Sequence, residues 1–135
     1  TDTFPGDGGE RERYNTATTF TRAAEEGLVQ PSASIHVGAR GPTYLPDAYR
    51  HAIDLGYHVF PDRDCRARGM AAIVADIRRI LAGRPVYLCF DMDWFDPSCA
   101  PGVCTPAWGG ATASRNSHPW NSRNSLLWSR FTYLT

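Results

Sequence analysis

Between residues 18 and 91 the hydrophobic pattern switches back and forth between the period of a helix and that of a strand, and few architectures accept such alternation. From Thr18 to Leu28, the apolar residues Phe20, Ala23, Ala24 and Leu28 recur at helical spacing, with Gly27 where the helix would end. Ser34 to Gly38 is a short β-type run. Pro46 and Asp47 open a second helix, Ala48, Tyr49, Ala52 and Ile53 give it an apolar face, and Gly56 stops it. Tyr57 to Phe60 is a second strand. The strongest helix spans Met70 to Leu81, with Ile73, Val74, Ile77 and Ile80 on its stripe and Arg78 and Arg79 in its last turn. Val86-Tyr87-Leu88-Cys89-Phe90 is almost wholly apolar, as a strand buried on both faces should be. The order predicts an α/β fold, a three-layer αβα arrangement around a parallel sheet. Three strands bury little, so further strands are expected before residue 1, after residue 110, or both.

Composition narrows the partners. Fourteen basic residues, all Arg, balance fourteen acidic ones, which gives no electrostatic reason to expect nucleic acid or an anionic membrane surface. No apolar run is long enough to span a bilayer, and no basic-then-apolar leader is present. The four cysteines, Cys65, Cys89, Cys99 and Cys104, form no C-x-x-C pair and read as reduced thiols of a cytoplasmic protein. No Asp or Glu follows Asp96. After Gly110 the chain turns rich in Ser, Asn and Trp, and no α/β continuation is legible. We therefore divide it into an α/β part at 1–112 and an atypical tail at 113–135, expected to be frame-shifted, foreign or disordered.

The chemistry concentrates where the last apolar run ends. Asp91 and Asp93 are two residues apart, and strand periodicity would turn both to one face. Ligands of open parallel sheets collect beyond the carboxyl ends of the strands. Two carboxylates there repel each other unless a cation sits between them. The competing reading is that these acids cap a turn.

The longer pattern resembles the manganese-dependent ureohydrolase family, which includes agmatinases and arginases. It stands here as Cys89-Phe90-Asp91-Met92-Asp93, then Asp96-Pro97, then Ala100-Pro101-Gly102-Val103-Cys104-Thr105-Pro106, then Gly109-Gly110. Tyr14-Asn15-Thr16-Ala17-Thr18-Thr19-Phe20 with Arg22-Ala23-Ala24-Glu25-Glu26-Gly27-Leu28 is similar to a second family stretch, of agmatinase type, and Ser34 to Gly41 to the strand that follows it. The resemblance implies an incomplete arginase-like fold, a binuclear manganese centre and homo-oligomers. It implies hydrolysis of a linear guanidino compound such as agmatine to urea and an amine. It carries the metal-ligand role onto Asp2, Asp91 and Asp93, a place near the substrate onto Thr105, and a supporting place behind the ligands onto Asp96.

The chain also departs from the family pattern. Asp2 would be the last residue of D-A-H-x-D, of which the first three are not in this sequence. Thr16 stands where the family has a histidine linked to substrate contact and proton transfer, and a hydroxyl cannot serve as an acid–base group. Cys89 replaces a Ser or Thr, and Val103-Cys104 replaces Thr-Gly. The glutamate of a later E-x-x-P segment is missing. These gaps sustain an alternative: a catalytically inactive truncated remnant with at most weak divalent-cation binding.

Overall fold

The computed structural model describes residues 2–6, 9–41 and 47–112. Its elements are α1 (Glu10–Arg13), α2 (Thr19–Glu25), β1 (Ile35–Ala39), α3 (Arg50–Asp54), β2 (His58–Pro61), α4 (Asp62–Arg68) and α5 (Met70–Leu81). One-turn 3-10 segments stand at Thr16–Thr18, Pro31–Ala33 and Met92–Trp94. The fold is α/β. β1 and β2 pair in parallel, with Ile35 opposite His58 and Val37 opposite Phe60, and α3 lies in the crossover between them.

Local chemistry accounts for the helix ends. Gly27, at φ +69°, lets the chain leave α2, and Leu28 N–H returns to the Ala23 carbonyl at 2.9 Å. α5 occupies Met70–Leu81 as its periodicity predicts, and it buries Ile73 and Val74. These join Ala52 of α3, Tyr57 and Cys65 in the core. α4 was not foreseen, although its charges fit a helix dipole: Asp62 and Asp64 fill its first turn, Arg66 and Arg68 its last. The second helix begins at Arg50, later than Asp47, and Pro46 lies outside the described residues.

A second cluster ties α2 to the sheet. The His36 ring meets Phe20 at 5.2 Å and Tyr57 at 5.0 Å, both edge-on. Burial pushes its pKa down to about 4, so it stays neutral at physiological pH. The Tyr57 hydroxyl donates to the Phe20 carbonyl at 2.7 Å. His36 is thus a core histidine, as its place in an apolar strand suggests.

The expected third strand does not form among the described residues. Residues 86–90 run without ladder partners, and Tyr87 is 89% exposed. Leu88 and Phe90 are also open to solvent. The pattern of a doubly buried strand is present, but no neighbouring strand accompanies it, and an apolar run alone cannot supply the missing hydrogen bonds. The described sheet therefore has two strands, not three. Residues 113–135 lie outside the described residues. No described helix is long and apolar enough to cross a membrane.

The two apolar regions should respond oppositely to substitution. Ile73→Ala, at a fully buried site, is expected to cost about 2–5 kcal/mol in urea unfolding. Tyr87→Ser is expected to change stability by no more than about 0.5 kcal/mol, whereas a strand buried on both faces would lose several times that.

Candidate active-site loop

After α5 the chain runs without regular structure to Asp91 and then tightens into the 3-10 turn Met92–Trp94. The Asp91 carboxylate caps this turn, Oδ1 accepting from Asp93 N–H at 3.3 Å. The two acids therefore sit on a capped turn, and the alternation of a strand does not govern where they point. Thr105 comes back across the loop, its hydroxyl donating to Asp93 Oδ2 at 2.7 Å. Among the described residues neither Asp91 nor Asp93 takes part in an ion pair.

Asp96 shapes the loop. Its Oδ1 accepts from Ser98 N–H at 3.0 Å and its Oδ2 from Gly109 N–H at 2.8 Å. The hydrogen bonds from Ser98, with those of Gly109 and Gly110, hold its pKa down at about 2. The base of the loop is closed by main chain: Asp96 N–H donates to Ala111 O at 2.8 Å, and Ala111 N–H to Trp94 O at 3.1 Å. The carboxylate is thus spent on the loop itself, on Ser98 and on the backbone N–H groups of Gly109 and Gly110.

Two arginines moor this loop to the sheet. Arg40, directly after β1, donates from Nη2 to Phe95 O at 2.9 Å and to Ala107 O at 2.7 Å. Arg66, on α4 directly after β2, bonds to Gly109 O and to Asp62. Both anchors thus leave the carboxyl ends of parallel strands, the rim where such sheets gather ligands. Gly38 sits at a register shift in β1 with φ +80°, and a Cβ there would collide with the Trp94 indole. Gly110 is similarly confined: a Cβ would meet the backbone of Phe95 and Asp96 and the Arg40 guanidinium. Arg40 has no distinctive signal in the sequence beyond following a strand.

Asp2 stands elsewhere. It adopts φ +49°, is exposed, and offers its carbonyl to Phe20 N–H at 3.0 Å. Thr21 Oγ1 holds the Phe4 carbonyl at 2.8 Å and the buried Arg22 holds that of Pro5, strapping the segment onto α2. Asn15 and Thr18 cap each other across the turn that follows, leaving Thr16 exposed between them.

In donor chemistry Asp2, Asp91 and Asp93 suit a hard divalent cation, being carboxylates without a cationic partner among the described residues. In number they do not close a shell: no group of three or more His, Cys, Asp or Glu side chains among the described residues is arranged to hold a metal. Asp91, Asp93 and Thr105 come together, and Asp2 does not complete a three-donor cluster with the two acids.

Comparison with known proteins bears on the same segment. A family profile described as the Arginase family matches residues 2–118. The chain is 35% identical over 101 residues to a mitochondrial agmatinase of Gallus gallus, covering 75% of this chain and 30% of that protein. It is 39% identical over 100 residues to a guanidinopropionase of Pseudomonas aeruginosa, covering 74% of this chain and 31% of that one. Among solved structures, a proclavaminate amidino hydrolase from Streptomyces clavuligerus superposes with a TM-score of 0.71 at 35% identity, over 82% of this chain and 36% of the other. The chain spans about 30% of the length of the curated relatives it matches.

The Asp96 network has a titration signature. A carboxylate held at about 2 stabilises the loop above its ordinary pKa near 4, and that contribution disappears as pH falls through about 2. Carbon-detected NMR of the Asp96 carboxyl should report a midpoint near 2, and Asp96→Asn should speed amide exchange at Ser98 and Gly109 at neutral pH. A midpoint near 4 contradicts the network.

Proposed function

The chain belongs to the arginase family, and on that premise we propose that it is part of a manganese-dependent amidinohydrolase of agmatinase type, acting on a linear guanidino compound to give urea and an amine. The observation that carries this reading is the Asp93 carboxylate, fixed by Thr105 at 2.7 Å and unpaired with any cation among the described residues, on a loop moored at the rim of a parallel sheet. Three relatives or structural neighbours are named for guanidino or amidino chemistry, which supports the substrate class.

Asp91 and Asp93 would hold the metal from this loop; family resemblance assigns Asp2 to it as well, although Asp2 joins no three-donor cluster with them among the described residues. Bound divalent ions supply water of lowered pKa and positive charge against the developing anion, which an inert guanidinium carbon requires. Thr105 commits its proton to Asp93 Oδ2, fixing the carboxylate's rotation and leaving Oδ1 free for a cation. Family resemblance also assigns Thr105 a place near the substrate. Asp96 acts from behind, by shaping the turn that presents Asp93 and Thr105. The four free thiols suit a reducing compartment such as the cytoplasm.

One observation favours a second reading, that of an inactive remnant with weak cation binding. Fewer than three donors converge among the described residues, and Thr16 offers no group able to move a proton near neutral pH.

Urea release from agmatine, guanidinobutyrate and guanidinopropionate, with manganese added to the 135-residue chain, separates the two. Under the enzyme reading turnover requires manganese and falls at least ~100-fold in Asp93→Asn. Manganese binding that raises the melting temperature without urea release identifies the remnant. Absence of both refutes metal binding by this chain.

A further inference from the structure

Arg40 is a cation placed beside a proposed cation site, an arrangement that Coulomb's law alone disfavours. Among the described residues it forms no ion pair, and its Nε is buried without a partner. Its contacts run instead to main-chain carbonyls, and their positions are specific. Phe95 lies two residues after Asp93, and Ala107 two residues after Thr105. One nitrogen, Nη2, thus reaches both arms of the loop just beyond the two side chains that are bonded to each other at 2.7 Å. It fixes the separation of the arms, and that separation decides whether the Thr105 hydroxyl reaches Asp93.

We propose that Arg40 is a positioning residue for the metal-binding group, holding the Asp93–Thr105 pair in register through the carbonyls of Phe95 and Ala107. The proposal rests on the manganese reading above for its consequence, and on hydrogen-bond geometry alone for its mechanism. The loop base is closed independently by Asp96, Trp94 and Ala111, so loss of Arg40 releases the arms without opening the base.

The test is manganese titration of the isotope-labelled full chain, read by paramagnetic broadening at Asp91, Asp93 and Thr105. Arg40→Met removes a positive charge, so electrostatics predicts tighter binding. Positioning predicts binding weaker by at least ~10-fold, the scale of lost support for a metal ligand. Arg40→Lys keeps the charge but has a shorter reach, and is expected to weaken binding too. In a Thr105→Val background, Arg40→Met is expected to add little further loss, because both act on one bond. Tighter or unchanged binding in Arg40→Met, or fully additive losses in the double variant, overturns the proposal. Metal-free spectra separate its failure from that of the manganese reading. If the wild-type chain shows no broadening, the manganese reading fails, and unchanged Asp93 and Thr105 signals in metal-free Arg40→Met overturn the clamp as well.

Discussion

The link between Arg40 and the carbonyls of Phe95 and Ala107, at 2.9 and 2.7 Å, joins parts of the chain 55 and 67 residues apart. Hydrogen bonds from a charged donor contribute roughly 1.5–3 kcal/mol each, enough to hold a loop with little apolar burial of its own. The packing around it is permissive only because side chains are missing where they would obstruct. Gly38 makes room for the Trp94 indole, and Gly110 for the guanidinium and the turn at Asp96. The indole in turn meets Phe90 at 6.0 Å and Phe95 at 5.5 Å. Strand, loop and aromatic cluster thus depend on one another, and the acids ride on that assembly.

The parts of the fold legible in the sequence are those fixed by local periodicity. The stripe of α5 forms over its predicted residues because Ile73 and Val74 find a core next to them. β1 and β2 form because each closes on the other across a short crossover. The run from Val86 to Phe90 shows the limit of such reasoning. Its composition specifies burial on both faces, but burial requires partners, and none accompanies it among the described residues. α4 escaped notice for the opposite reason: with only Cys65 buried, it has no apolar stripe to read, and its charges alone mark its ends.

The sequence puts the loop acids and Thr105 in one segment but does not give their geometry. Asp91, Asp93 and Thr105 form one group, although on a capped turn and not on a strand face. Asp96 proved the acid of the loop most fully engaged with backbone, which its position before Pro97 allowed but did not require. Arg40 and Arg66 carried no pattern of their own, since an arginine that binds carbonyls looks like any surface arginine until the chain folds. The membership of the arginase family rests on residues 2–118.

The meeting of Gly38 with Trp94 has a consequence for how this region can vary. A residue without a side chain on the strand and the largest side chain on the loop fill one shared volume. Neither position is free to change by itself. Enlarging 38 demands a smaller neighbour at 94, and the positive φ at 38 narrows the choice further. Diversification schemes that randomise strand and loop separately would discard the compatible pairs, because each appears defective until its counterpart is present.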